Sequence, residues 1–101
     1  MNDTITAIAT AYGVGSIAII RLSGDKALLI ARTLTKRESL TPRHAHLTSL
    51  YNADDELIDE SVTIYFKGPN SFSGEDVVEF QCHGGAVVAQ EILQATLDAG
   101  A

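Results

Sequence analysis

The residues best suited to chemistry lie in one stretch, GPNSFSGEDVVEFQCHGG, which covers 68–85. Within it Glu79, Gln81 and His83 alternate, so that a β-strand would place them on one face. A carboxylate there can accept parallel hydrogen bonds from a ring N–H and an adjacent exocyclic amine, as on a pterin or guanine edge. Arg21 could supply the opposite charge, either for a ligand carboxylate or to hold Glu79 itself. The pattern predicts a ligand platform, and a solvated sheet face is the alternative.

Glycines follow this polar face and extend the candidate site. Gly84 and Gly85 would let backbone approach a ligand, and the N-terminus of a helix behind them favours an anion. His83 lies on the same predicted strand face as Glu79, so these glycines would border that face. A free-standing enzyme using Glu79 and His83 as acid and base is a weaker hypothesis, because four residues of strand separate them by roughly 13 Å. No catalytic residue and no metal ligand is assigned.

Shorter motifs favour structural interpretations. The G-x-G-x-x-A pattern at 13–18 precedes a β-branched run rather than a helix, which favours a hairpin turn over a dinucleotide site. The Ser-x-x-Lys pattern at 23–26 fits a helix cap and a solvated lysine. His44 and His46 are interpreted as surface residues rather than metal ligands. Cys82 is interpreted as a small buried hydrophobe.

Hydrophobic periodicity predicts the elements that must position these residues. The order is ββαβββα, which indicates an α+β fold with two to three helices on a small, mostly antiparallel or mixed sheet. The predicted strands are 3–10, 16–22, 44–51, 60–67 and 76–83, and the predicted helices are 23–36 and 84–100.

Several local features are predicted within these elements. Ser23 is expected to cap the first helix, with Asp25 in its first turn. An antiparallel hairpin is expected around the loop 52–59. On the strand 76–83, the side that carries Val78, Phe80 and Cys82 is expected to face the core. The apolar stripe of the last helix is predicted to contain Val88, Ala89, Ile92, Leu93 and Leu97.

The composition limits the class of protein. The chain has 101 residues, 46% hydrophobic content and a formal charge of −6, which is typical of a single globular domain and disfavours a primary nucleic-acid-binding surface. A single cysteine and an acidic N-terminus favour a cytoplasmic protein without a signal peptide. No apolar run approaches the ~18 residues of a membrane span, so no membrane partner is expected.

Two blocks of the sequence carry a family resemblance. DTITAIATAYGVGSIAIIRLSG and GPNSFSGEDVVEFQCHGG together resemble the amino-terminal domain of the MnmE (TrmE) family of tRNA-modifying GTPases. The resemblance extends from Asp3 to the last helix. It implies a small α+β fold similar to the folate-binding domains of one-carbon enzymes.

The resemblance also implies a function. The family's domain binds a reduced folate of the 5-formyl-tetrahydrofolate type and mediates homodimerisation. With the flavoprotein MnmG, the whole protein modifies carbon 5 of the wobble uridine of certain tRNAs. The family's folate contacts map onto Arg21 and Glu79. Its His-Gly-Gly maps onto His83, Gly84 and Gly85, which the resemblance implies line the site.

The same resemblance implies that these residues are part of a longer chain. A folate-contacting lysine and the GTPase domain, with its GTP, Mg²⁺ and K⁺, would lie beyond Ala101. Cys82 stands where the family has a glycine, so it does not receive the role of the family's tail cysteine. A dimerisation domain that has lost its ligand is the alternative function.

Overall fold

The computed structural model describes residues 3–9, 17–69, 71, 74–83 and 85–101. Five strands and two helices follow one another in the predicted order, ββαβββα. The glycine-rich turn expected at 11–15 lies outside the described residues. The elements are β1 (Ile5–Ile8), β2 (Ala18–Ser23), α1 (Ala27–Thr35), β3 (Ala45–Tyr51), β4 (Leu57–Phe66), β5 (Val77–Cys82) and α2 (Gly85–Asp98).

The strands form one antiparallel sheet in the order β1-β2-β5-β4-β3. The α+β prediction is therefore confirmed, and the sheet is antiparallel rather than mixed. The last strand in the chain, β5, lies at the centre and pairs with β2 on one side and β4 on the other. Residues that are far apart in sequence thus become neighbours across β2 and β5.

Both helices contribute to one hydrophobic core on one face of the sheet. The alternation predicted for β5 is confirmed, since Val78, Phe80 and Cys82 are fully buried on the core side. The apolar face predicted for α1 is also buried. Its core residues are Ala27, Ile30, Ala31 and Leu34, and those of α2 are Ala89, Ile92 and Ala95.

In the second half of β4, polar residues lie on the buried side of the sheet, where apolar residues are usual. Its positions on the helix side include Ser61 and Thr63, which are buried and form a hydroxyl cluster with Thr48 of β3. Each hydroxyl in this cluster has a hydrogen-bonding neighbour, which limits the cost of its burial. Val62, Ile64 and Phe66 consequently occupy the opposite, helix-free face of the sheet and are only partly buried.

The predicted start of α1 was wrong. Ser23 is the last residue of β2, where it pairs with Val77, so it cannot cap a helix that begins four residues later. Asp25 also precedes the helix. The Lys26 N–H at the helix start instead donates to Oγ1 of Thr4, at 2.9 Å. A side chain from outside the helix thus satisfies one of the helix-terminal N–H groups.

The position of Leu97 and the length of the β3–β4 loop also differ from the predictions. Leu97 is 45% exposed, because the buried stripe of α2 passes through Ala95 and Thr96 instead. The β3–β4 hairpin is confirmed, but β4 begins at Leu57, which shortens the loop to 52–56. Oδ1 of Asn52 accepts the N–H groups of residues 54 and 56 and closes that loop.

Among the described residues, neither helix has the length and apolar character needed to cross a membrane.

Candidate functional site

Arg21 and Glu79 meet at the centre of the sheet. They are direct register partners on β2 and β5, although 58 positions separate them in sequence. Nε and Nη2 of Arg21 donate to Oε2 of Glu79 at 2.9 and 2.7 Å. Because antiparallel neighbours on one face lie side by side, the sheet register alone brings these two charges into contact.

This pair lies on the helix-free face, among apolar neighbours. Ile64 is the register partner of Glu79 on β4, and Ala7 is the partner of Arg21 on β1. The side chains of Arg21 and Glu79 are 27% and 14% exposed. A charge-assisted hydrogen bond with so little solvent exposure is stronger than an ordinary surface ion pair. Each charged group also offsets the desolvation cost of the other.

Glu79 keeps hydrogen-bonding capacity for a ligand. Both of these bonds from Arg21 go to Oε2, and no hydrogen bond to Oε1 is found among the described residues. An ionised carboxylate offers about four lone-pair positions, so one donor residue leaves the group unsaturated. The site therefore combines an anchored carboxylate with accepting capacity for N–H donors.

Gln81 continues the polar positions of β5 toward the end of the strand. It pairs with Ile19 on β2 and with Val62 on β4, which are apolar residues of the same face. Polar side chains thus occupy the middle of this face, on β2 and β5, between apolar positions on β4 and β1. The solvated-face interpretation fits this pattern poorly, because the flanking residues are largely apolar.

The apolar positions continue to the outer strands. Ile5 on β1 and Leu47 on β3 are 61% and 70% exposed, and Ile17, just before β2, is 54% exposed. Leu47 is the register partner of Val62, so it extends the row of apolar residues from β4 to the sheet edge. Exposed apolar residues gathered on one face are typical of interaction surfaces.

His83 lies one residue beyond β5, at the β4 side of the sheet. Its backbone N–H donates to Oδ2 of Asp59 at 2.8 Å, and its Nδ1 is 3.2 Å from the carbonyl oxygen of Glu60. Glu79 and His83 therefore have different partners, Arg21 and Asp59. Sequence interpretation missed Asp59, because it assigned 52–59 to a loop.

Of the two predicted site glycines, only Gly85 lies within the described residues. Gly85 has φ +72° and begins α2, a backbone conformation that favours glycine over residues with a side chain. A Cβ atom at this position would meet nothing within 4 Å. The structure thus gives a conformational reason for glycine here, and the role of Gly85 in ligand binding stays a prediction, as does that of Gly84.

Cys82 is fully buried in the core, as predicted. Its thiol donates to the carbonyl oxygen of Ala18 at 3.3 Å. Burial raises the pKa of this thiol to about 11, and the nearby carboxylate of Asp59 contributes to the same direction. Cys82 is therefore a protonated packing residue at neutral pH rather than a nucleophile.

The raised pKa of Cys82 predicts a pH-dependent loss of stability. The ordinary value is 9.0 and the folded value is about 11, so the unfolded chain releases the proton first. The contribution is complete below about pH 9 and disappears as the pH rises through about 11. Urea unfolding of wild type and Cys82→Ala, compared from pH 8 to 11, should show the stability advantage of wild type shrinking. A constant difference would contradict the prediction.

Three cavities lined by described residues lie away from the Arg21–Glu79 pair. One of them holds about 250 Å³ and lies between α1, the β3–β4 loop and α2. Its lining residues include Leu34, Tyr51, Asn52, Ala95 and Asp98. A closed hollow around Arg21 and Glu79, which the ligand-platform hypothesis suggests, is thus not formed by these cavities. The pair lies instead on the open face of the sheet.

Neither His44 and His46 nor the acidic side chains form a metal centre within the described part of the chain. His44 precedes β3, and Nε2 of His46 accepts the N–H of Thr41 at 3.1 Å. Since His46 already has a backbone partner and His44 is not in the strand, the two histidines are not side by side on one strand face.

Comparison with known families gives the context of this site. The family described as GTP-binding protein TrmE N-terminus matches residues 4–101. The chain belongs to this family. The match includes β2 and β5, the two strands that carry Arg21 and Glu79. The candidate site therefore lies within the part of the chain that matches the TrmE N-terminal family.

Curated relatives of the TrmE N-terminal family agree. A tRNA modification GTPase MnmE from a Sulfurovum species is 62% identical over 100 residues, which is 99% of this chain and 22% of the relative. Its counterpart from a Nitratiruptor species is 63% identical with the same coverage. That from Campylobacter jejuni (strain RM1221) is 56% identical over 101 residues, with 100% of this chain and 23% of the relative covered. The chain thus spans less than a quarter of these relatives' length.

Proposed function

We propose that this domain binds a reduced folate of the 5-formyl-tetrahydrofolate type and forms a homodimer. The observation that carries the folate proposal is the Arg21–Glu79 pair on the helix-free face of the sheet. A pterin presents a ring N–H beside an exocyclic amine, and an ionised carboxylate is the natural acceptor for both. Arg21 holds that acceptor in position and places a positive charge beside it.

The surroundings of the pair suit the remainder of such a ligand. A pteridine is a flat, largely apolar ring system with polar edges, and small-molecule sites combine apolar walls with a few fixed polar groups. Ile19 and Ile64 flank the pair on the same face. Ring stacking on these side chains and hydrogen bonding to Glu79 would use both properties of the face.

The homodimer proposal follows from the apolar character of the same face. The helices cover only the other side of the sheet, and Ile5, Ile17 and Leu47 remain more than half exposed. A second copy placed against this face would bury those side chains and would also enclose a ligand at the centre. The alternative, a dimerisation domain without a ligand, shares the surface but gives Glu79 no binding role.

Isothermal titration calorimetry with 5-formyl-tetrahydrofolate tests the folate proposal. We expect saturable binding, while 4-aminobenzoyl-glutamate, which lacks the pteridine, should bind far more weakly. Because the resemblance places a further contacting lysine beyond Ala101, the titration includes a chain extended past that residue. No heat from the extended chain would refute the folate proposal and leave the ligand-free dimerisation domain.

The role of the longer protein follows from the family and its relatives. We infer that this domain serves a GTPase that modifies carbon 5 of the wobble uridine of tRNA in the cytoplasm, with a flavoprotein of the MnmG type as partner. GTP, Mg²⁺ and K⁺ would be bound outside these 101 residues. The name that the relatives carry, tRNA modification GTPase, supports this role.

A further inference from the structure

Gln81 interrupts a row of apolar side chains that crosses the helix-free face of the sheet. The row passes from Leu47 on β3 through Val62 on β4 and Gln81 on β5 to Ile19 on β2, and each residue is the register partner of the next. The side chain of Gln81 is partly buried, and no hydrogen bond of its amide is found within the described part of the chain. Because an amide carries two donor hydrogens and an acceptor oxygen, this position offers both kinds of hydrogen bond to a ligand.

This amide lies beside the carboxylate of Glu79. Two residues along a strand rise about 7 Å and return to the same face of the sheet. Glu79 and Gln81 are therefore consecutive positions on that face, at a spacing comparable to the length of two fused six-membered rings. A flat ring system that lies on the face with one edge at Glu79 brings a neighbouring edge to Gln81.

The edges of a reduced pterin match these two side chains in order. The edge that pairs with a carboxylate consists of the hydrogen on nitrogen 3 and the 2-amino group. The next edge on one side consists of nitrogen 1, an acceptor, and the hydrogen on nitrogen 8, a donor. A glutamine amide can pair with an adjacent acceptor and donor at the same time, as it does with adenine. The other side of 5-formyl-tetrahydrofolate presents two carbonyl oxygens, and a single amide matches these less well.

We propose that Gln81 binds the same pterin as Glu79, donating to nitrogen 1 and accepting the hydrogen on nitrogen 8, and that it thereby favours reduced folates over folic acid. This inference rests on the proposed folate function. Folic acid has a fully oxidised ring, in which nitrogen 8 carries a lone pair and no hydrogen. The amide oxygen of Gln81 would then face another acceptor, so the complex with folic acid lacks this hydrogen bond.

A matched pair of ligands tests the contact by calorimetric titration of the chain extended past Ala101. 7,8-Dihydrofolate differs from folic acid only by the hydrogens added at nitrogen 8 and carbon 7. We expect wild type to bind dihydrofolate about tenfold more tightly, the effect of one hydrogen bond. Gln81→Met, with an apolar side chain of similar length, should bind the two ligands equally. Gln94→Met, the same change at an exposed position of α2, should keep the wild-type preference.

NMR of the glutamine side-chain amides gives an answer even if Gln81→Met fails to fold, because it uses the wild type. Saturation with 7,8-dihydrofolate should move the side-chain N–H signals of Gln81. Those of Gln94 should stay in place, since its amide donates to Asp98 on α2, on the other side of the sheet. Side-chain signals of Gln81 that do not move at saturation would overturn the inference.

The outcomes separate this inference from the folate proposal. Equal binding of dihydrofolate and folic acid by wild type, or an unchanged preference in Gln81→Met, would overturn the inference while folate binding stands. A Gln81→Met protein that keeps the preference but no longer dimerises in analytical ultracentrifugation would assign Gln81 to the interface instead. If the extended chain binds no folate, the proposed function fails, and this inference fails with it.

Discussion

Glu79→Gln should lower the affinity for 5-formyl-tetrahydrofolate by about a hundredfold. Glutamine keeps the size of the side chain but has a single acceptor oxygen and no charge, so with that oxygen on Arg21 its NH2 group, a donor, would face the N–H groups of the ligand. Hydrogen bonds to charged groups contribute about 1.5–3 kcal/mol each, and about 2.7 kcal/mol corresponds to a hundredfold in affinity. Calorimetric titration of both proteins measures the difference directly.

Arg21 makes this substitution more damaging than the loss of a ligand contact alone. Its Nε and Nη2 donate to Oε2 of Glu79 in a site with little access to water. Neutral glutamine would remove the negative charge that the guanidinium contacts on β5, and a ligand that needs a fixed acceptor would find one that is less well held. Arg21→Ala should therefore reduce affinity in the same direction.

The controls distinguish a binding effect from a general defect. Glu91→Gln, the same change at an exposed position of α2, should bind like wild type. Circular dichroism should show a folded Glu79→Gln, and analytical ultracentrifugation should show that its dimer persists. Unchanged folate affinity in this variant would refute the role assigned to Glu79, and a monomeric variant would show that the pair serves the interface instead.

Phe80→Ala should remove much of the stability of the fold. Phe80 is fully buried at the centre of β5, between Ile20 and Thr63 in the register. Truncating a buried phenylalanine to alanine costs about 3–5 kcal/mol, which includes the cavity left behind. A domain of this size is stable by only about 5–15 kcal/mol, so this one change approaches the limit of folding.

Urea denaturation followed by circular dichroism measures this effect. Val87→Ala provides the control, because Val87 is 70% exposed on α2 and surface substitutions usually change stability by less than about 0.5 kcal/mol. The milder Phe80→Leu retains most of the buried volume, so its urea midpoint should lie between those of Phe80→Ala and Val87→Ala. A midpoint for Phe80→Ala close to that of wild type would show that β5 is not packed as described.

The sequence predicts the central strand well because side chains along a β-strand alternate between the two faces of the sheet. Alternation along 76–83 separates Val78 and Phe80 from Glu79, and the structure confirms both sides. The pairing of Arg21 with Glu79 was predicted from complementary charge and from family resemblance. Their contact depends on register, which the pattern of neither strand specifies by itself.

Other parts of the site depend on contacts between distant elements, which local patterns do not reveal. Asp59 was assigned to a loop because acidic and turn residues precede it, and its contact with His83 exists only once β4 and β5 pair. Ser23 has a favourable identity for a helix cap, but sheet pairing with Val77 holds it in β2. In both cases tertiary pairing outweighed a local preference.

The central place of β5 also affects how a newly made chain acquires its function. Within the described part of the sheet, the hairpins β1–β2 and β3–β4 are not paired with each other, and β5 pairs with both. During synthesis, Arg21 leaves the ribosome long before the carboxylate that it holds. Such non-local closure is slow relative to local hairpins. A ligand that needs both Arg21 and Glu79 would not bind incompletely synthesised chains. It would bind only chains in which β5 has paired with both halves of the sheet.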